Sequence, residues 1–141
     1  MRRTITFILG MVLFLGGMLI PRLCMAEETA SDDPILYRYS YISSINATLN
    51  ISGSSAECYG RVTCASSSYD IAITMTLKRQ SGSSWVTVVS WSGNGSLIAT
   101  LNETVVLSVE GSYKVVVVGK IKNSSGTVLE TATKESSIKT Y

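Results

Sequence analysis

Histidine is absent from the 141 residues. The chain therefore lacks the commonest general base and the commonest metal ligand, and a serine–histidine or cysteine–histidine nucleophile is excluded. Paired carboxylates remain the other route to hydrolysis. The pattern predicts that each carboxylate of the folded part stands alone on a strand's polar face or in a turn: Glu57, Asp70, Glu103, Glu110, Glu130 and Glu135. Asp32 and Asp33 lack the alternating spacing of a calcium loop. We therefore expect that the chain is not an enzyme and that it has no catalytic residues, no cofactor and no metal.

Clusters of basic side chains are also missing. Three of the twelve Lys and Arg residues lie near the start of the chain, at Arg2, Arg3 and Arg22, whereas all ten acidic residues lie beyond them. The rest of the chain has nine basic against ten acidic side chains, and its Lys and Arg occur singly or in pairs. Binding to nucleic acid is therefore not expected.

The first 26 residues have the features of a signal peptide. Met1-Arg2-Arg3 is positively charged, residues 5–20 are almost entirely apolar, and small residues at Cys24 and Ala26 predict cleavage after Ala26. An uncleaved membrane anchor is the alternative, although the apolar stretch is shorter than the roughly 20 residues that span a bilayer. Residues 27–35 are then a short acidic linker, and the mature protein is expected to be secreted.

Helical periodicity is absent beyond Leu36, where apolar residues recur at every second position. The inward positions predicted for three strands are 45, 47, 49 and 51, then 56, 58, 60, 62 and 64, then 71, 73, 75 and 77. Residues 80–84 are predicted as a hairpin loop, with a return strand over 85–91 and a turn at Ser92-Gly93-Asn94-Gly95. Further strands are predicted over 97–101, 104–109, 113–121 and 127–137, the Val-rich 113–121 being covered on both faces. Residues 36–141 are thus expected to form one all-β, immunoglobulin-like antiparallel sandwich of seven or eight strands.

Two local features carry more specific predictions. Tyr113 follows Gly111-Ser112 at the start of a long strand, where immunoglobulin-like folds place a tyrosine whose hydroxyl binds the upstream backbone. Cys58 and Cys64 lie on one face of one strand, about 20 Å apart, which is too far for a disulfide. They are expected to pack as small apolar residues unless the strand bends at Gly60.

Aromatic side chains and asparagines suggest binding or modification. Amphipathic rings bind sugars or anchor protein partners, and the candidates here are Tyr37, Tyr39, Tyr41, Tyr59, Trp85 and Trp91. The two tryptophans are six residues apart and are expected on the same side of one strand, with at least one in the core. All five asparagines precede Ser or Thr by two positions and fit the N-glycosylation pattern: Asn46, Asn50, Asn94, Asn102 and Asn123.

The order of several short stretches resembles a family of small exported proteins of Gram-positive bacteria with an immunoglobulin-like or fibronectin-III-like sandwich, known as a domain of unknown function. The stretches that resemble it are Tyr37-Arg38-Tyr39-Ser40-Tyr41, Cys58-Tyr59-Gly60-Arg61-Val62, residues 77–85 with Trp91, and Gly111-Ser112-Tyr113-Lys114-Val115. The resemblance implies the fold and export, and it implies no activity.

Together these features predict a secreted, non-enzymatic interaction module at or beyond the cell surface, with an extracellular protein or a cell-envelope glycan as partner. A carbohydrate-binding module is the alternative. Contact with the membrane is expected only through the leader, if it is not cleaved.

Overall fold

The computed structural model describes residues 39–141, and every one of its regular elements is a strand. The predicted signal peptide (1–26), the linker (27–35), Cys24, Asp32, Asp33 and Tyr37 lie outside the described residues. The eight strands are β1 (Ile42–Ser52), β2 (Ser55–Cys64), β3 (Asp70–Ser81), β4 (Ser84–Gly95), β5 (Ile98–Val106), β6 (Ser112–Lys122), β7 (Val128–Glu135) and β8 (Lys139–Thr140).

The strands form two antiparallel sheets. One has the order β1-β2-β5, and the other has the order β4-β3-β6-β7, with the short β8 paired to the start of β6. We call these the three-stranded and the four-stranded sheet, the second name counting β4, β3, β6 and β7 but not the short fifth strand β8. In the immunoglobulin nomenclature the strands are A, B and E opposite C′, C, F and G, so β4 extends the C-F-G sheet and does not pair with β5. The all-β sandwich prediction is confirmed.

The core lies between the sheets and follows the predicted alternation. Buried positions 56, 58, 60, 62 and 64 of β2 face 71, 73, 75 and 77 of β3 and the inner row of β6. The fit is close at two glycines. A Cβ built on Gly60 would lie 2.7 Å from Cγ2 of Val117, and one on Gly119 would lie 2.8 Å from Cγ2 of Val62. In each sheet, therefore, a glycine leaves room for a valine side chain of the other sheet.

The tyrosine corner is present. Tyr113 is 2% exposed, and its hydroxyl donates a hydrogen bond to the carbonyl oxygen of Val109, four residues upstream. This bond closes the connection from β5 in one sheet to β6 in the other. The predicted role of Tyr113 is confirmed.

Several predicted boundaries are wrong. Residues 92–95 are not a turn, because β4 continues through Gly95 and only Ser96 and Leu97 separate it from β5. Gly95 allows close contact at this crossing, since a Cβ there would lie 2.1 Å from the carbonyl oxygen of Ile98. The two short strands expected over 97–101 and 104–109 are the single strand β5.

The hairpin between β3 and β4 is tighter than predicted. Ser81 pairs with Ser84, which leaves Gly82 and Ser83 as a two-residue turn in place of a loop over 80–84. Gly82 has a φ of 61°, in the left-handed region that glycine adopts at little cost.

Strand β6 is not covered on both faces as expected. Its inner row and the outer Val116 are buried, but on the outer side Val118 is only partly buried and Lys120 is exposed. The Val-rich run instead reflects its place between β3 and β7, where neighbouring strands cover part of each outward side chain.

Candidate functional site

The outer side of the three-stranded sheet is a grid of polar side chains around one tyrosine. Register places Tyr59 of β2 between Thr48 of β1 and Asn102 of β5. Two further rows of three flank this row along the strands. We call the nine residues the polar face: Asn46, Arg61 and Thr100 in the first row, Thr48, Tyr59 and Asn102 in the second, and Asn50, Glu57 and Thr104 in the third.

Side chains of the polar face are not engaged with one another. Seven of the nine residues are exposed, and Tyr59 and Arg61 are partly buried. Within residues 39–141, every side-chain hydrogen bond lies elsewhere in the sandwich. The Nε of Arg61 is buried and has no hydrogen-bond partner among these residues. The face thus presents amide, hydroxyl and charged groups that are free to bind something else.

The outer side of the four-stranded sheet is different. Thr76 and Ser90 lie opposite each other with their hydroxyl oxygens 3.0 Å apart. Lys114 donates to both carboxylate oxygens of Glu135 at 2.9 Å. The same ammonium lies 4.5 Å from the centre of the Trp85 ring, within cation–π range. Some of the polar groups on this side are therefore paired within the sheet.

The two tryptophans lie on opposite sides of β4, and the prediction of a shared side is wrong. Leu77 pairs with Val89 but Lys78 pairs with Thr87, so Val88 is an extra residue in β4. Such a bulge reverses the alternation beyond it. Trp91 consequently packs against the core, as predicted for at least one tryptophan, whereas Trp85 lies on the outer side beside Lys114.

The other aromatic candidates are divided between core and surface. Tyr39 and Tyr41 pack against the core, and the ring of Tyr41 meets that of Tyr69 edge to face, with centroids 5.1 Å apart. Only Tyr59 and Trp85 among the described candidates lie on an outer side. Of these two, Tyr59 is the one surrounded by unpaired polar groups.

Three of the six carboxylates do not stand alone, which corrects the expectation for them. Glu130 accepts hydrogen bonds from the backbone N–H groups of Ser40, Tyr41 and Ile42, at 2.8 to 2.9 Å, and so joins the first described residues to β7. Glu135 pairs with Lys114. Glu103 is paired in register with Cys58, towards the inner side of the edge strand β5. The hydrogen bonds give structural roles to Glu130 and Glu135, and the inner position of Glu103 places its charge near the Cys58 thiol.

The two cysteines are free and buried, as predicted. Burial, and secondarily the negative charge of Glu103, raises the pKa of the Cys58 thiol to about 11. A thiol with so high a pKa remains protonated at neutral pH and is a poor nucleophile. Cys58 therefore acts as an apolar core residue.

The asparagine pattern has a local structural explanation. Asn46, Asn50 and Asn102 are exposed on the polar face, and the Thr or Ser two positions on lies on the same side of the strand because the alternation has a period of two. Asn123 differs, since its Oδ1 accepts bonds from the backbone N–H groups of Ser125 and Thr127 in a turn. Polar strand faces and one turn thus account for four of the five motifs, and glycosylation stays a prediction.

Two recesses lie away from the polar face. A cleft of about 430 Å³ is lined by Asp70, Asn94 and Lys122, among others. A groove of about 250 Å³ between β4 and the β5–β6 connection is bordered by exposed valines, including Val88 and Val109. Across residues 39–141, no three His, Cys, Asp or Glu side chains are grouped as metal ligands.

No described segment forms a helix of the length and apolarity needed to cross a membrane.

The polar face was not recognised in the sequence. Part of the face is visible in the sequence, where Asn and Thr alternate at positions 46, 48 and 50 and again at 100, 102 and 104. What joins the two runs is the pairing of both β1 and β5 with β2, which depends on the strand order.

Comparisons with known proteins identify no family for this chain. No family model matches it, and no curated protein is significantly similar in sequence. Among solved structures, a family 76 glycoside hydrolase from a bovine Bacteroides thetaiotaomicron strain matches 70% of this chain and 20% of its own, with 13% identity and a TM-score of 0.39. The sporulation control protein Spo0M of Bacillus subtilis matches 69% of this chain and 49% of its own, with 12% identity and a TM-score of 0.31. The chain spans less than half the length of either protein, and similarities this low carry no argument about function.

Proposed function

We propose that this chain is an exported protein whose β-sandwich acts by binding a partner at or outside the cell surface, and not by catalysis. The observation that carries the proposal is the polar face, where Tyr59 and the eight side chains around it form no side-chain hydrogen bond with any residue of 39–141. Exposed polar surface surrounding an aromatic residue is a composition that suits recognition. The leader features of residues 1–26 support export. The resemblance to small exported Gram-positive proteins is part of the same proposal.

Export is tested by expressing the full chain and measuring its mass in medium and membrane fractions. A secreted product that begins at Glu27 is expected, because Ala26 ends the predicted cleavage site. Full-length protein in the membrane fraction would support the alternative, an N-terminal anchor. Retention of all the protein inside the cell would contradict the proposal.

Binding is tested with two matched variants of the full chain as bait. Thr48→Arg places a bulky charge on the polar face, and Thr74→Arg places the same change on the outer side of the four-stranded sheet. We expect a partner from envelope or culture fractions to be lost with Thr48→Arg and retained with Thr74→Arg. Equal retention by both variants would show that the polar face is not the binding surface.

Carbohydrate binding is the second candidate. The observation that favours it is the position of Tyr59, an aromatic ring partly exposed at the centre of a grid of amides and hydroxyls. Sugars present the complementary groups, with C–H surfaces for the ring and hydroxyls for hydrogen bonds.

A further inference from the structure

We infer that the polar face is the binding site for an uncharged polysaccharide chain, with Tyr59 as its stacking platform. This inference rests on the proposed binding function and deepens it by naming the ligand class and the residues.

The hydrogen-bonding groups of the face suit hydroxyl ligands. Each of the amides Asn46, Asn50 and Asn102 offers a donor and an acceptor in one plane, and the threonines between them offer a hydroxyl that does both. A sugar hydroxyl also donates and accepts, so each can find both kinds of partner on this grid. A purely apolar or purely cationic surface would not provide this.

Spacing of the face suits a chain of rings. Neighbouring strands lie about 4.8 Å apart, and residues two apart on one strand are separated by about 7 Å. Tyr59 occupies the central position, with one row of three polar residues on either side along the strands. A sugar on the tyrosine ring would therefore have neighbouring units over the rows of Arg61 and Glu57.

The charge of the face favours an uncharged ligand. Arg61 and Glu57 are its only ionisable groups besides the Tyr59 phenol, and they lie on opposite sides of that residue on the same strand. Their charges cancel, so neither a polyanion nor a polycation is attracted to the face as a whole.

Titration of the full chain with defined oligosaccharides tests the inference. The probes are hexasaccharides of β-1,4-linked glucose, xylose and N-acetylglucosamine, with oligogalacturonate of similar length as the anionic control. We expect isothermal titration calorimetry to detect at least one uncharged hexasaccharide and to show weaker or no binding of the anionic one. No binding of any uncharged probe, or a preference for the anionic one, would overturn the inference.

Variants then locate the site. Tyr59→Ala should weaken binding about tenfold or more by removing the ring, whereas Tyr59→Phe should keep most of the affinity. Trp85→Ala is the matched control, since Trp85 is the aromatic residue on the opposite outer side, and binding should not change. Unchanged melting temperatures would show that the variants fold. Binding that is lost with Trp85→Ala and kept with Tyr59→Ala would refute the assignment of the site.

Failure of this inference differs from failure of the proposed function. A protein partner that is lost with Thr48→Arg, together with no glycan binding, would overturn only the glycan assignment. Absence of both partner and glycan would overturn both proposals.

Discussion

The two outer sides of the sandwich differ in whether their polar side chains pair with one another. On the four-stranded sheet, Thr76 pairs with Ser90, and Lys114 contacts both Glu135 and the Trp85 ring. On the three-stranded sheet, the nine residues of the polar face make no side-chain hydrogen bonds among the described residues. The same sandwich thus has one outer side on which several polar side chains pair with one another and one on which, among the described residues, they do not.

The inner sides of the two sheets are alike, and this similarity sharpens the contrast. Gly60 of the three-stranded sheet receives Val117 of the other, and Gly119 of the four-stranded sheet receives Val62. Both sheets therefore contribute to the close fit of the core, and they differ at their outer surfaces. Substitutions on the inner sides should lower the stability in both sheets. Substitutions on the outer sides should have different effects in the two sheets.

The largest effect is expected at the two reciprocal glycines. Gly60→Ala and Gly119→Ala each place a methyl group under 3 Å from a valine of the opposite sheet. Each should reduce the free energy of unfolding by about 1–3 kcal/mol through overpacking. Urea denaturation measures this. If the contact is the cause, Gly119→Ala combined with Val62→Ala should be less destabilised than the sum of the single variants.

Alkaline pH should destabilise the protein through Cys58. Its pKa is raised to about 11 by burial and by Glu103, so the unfolded thiol loses its proton at lower pH than the folded one. The stabilising contribution is therefore complete below about pH 9, the pKa of a free thiol, and is lost as pH rises towards 11, with an upper bound of roughly 2–3 kcal/mol.

The measurement is the difference in the free energy of unfolding between wild type and Cys58→Ala, which isolates the contribution of this thiol. That difference should shrink between pH 9 and pH 11. A constant difference would show that Cys58 does not titrate there.

The tyrosine corner should matter less than the core. Tyr113→Phe removes the hydroxyl that donates to the Val109 carbonyl and retains the buried ring. A loss of about 1–2 kcal/mol is expected, since one bond is removed and its acceptor loses a partner. Thermal unfolding measures it, and Tyr59→Phe is the matched control, because the Tyr59 hydroxyl has no such bond. Equal effects of the two changes would contradict the role of the corner.

The smallest effects on stability are expected for substitutions on the two outer sides. Glu135→Gln weakens the ion pair with Lys114 and should cost up to about 1 kcal/mol, less at high salt. Asn102→Ala and Thr48→Ala on the polar face should each change stability by less than about 0.5 kcal/mol, because they remove no intramolecular bond. A polar-face alanine variant as costly as Glu135→Gln would show that the face is structural and not reserved for a ligand.

Elements with regular alternation were predictable, and those altered by a single residue were not. The buried sides of β2 and β3 follow from a period of two, and Tyr113 follows from its place after Gly111. The Trp85 side was mispredicted because one extra residue, Val88, reverses the alternation, and no local pattern distinguishes a bulged strand from a regular one. The sequence wrongly predicts a turn at Gly93 and Gly95, because glycine serves both in turns and at close contacts.

The candidate site could be predicted only in its parts. Asn and Thr at alternate positions indicate a polar strand side, and Tyr59 indicates an aromatic within reach of solvent. The sequence does not show that β5 lies beside β2, because 33 residues separate the end of β2 from the start of β5. Glu130 illustrates the same limit, since its partners at Ser40, Tyr41 and Ile42 are about 90 residues away.

By itself, the sequence determined that residues 39–141 form strands, which side chains of β1, β2 and β3 face inward, and that no histidine-dependent chemistry is available. Only the tertiary structure decided which strands are neighbours, where one strand bulges, and which polar side chains find partners. The physical reason is that alternation is a property of each strand alone. Pairing and the assembly of a face depend instead on contacts between strands that are distant in the chain.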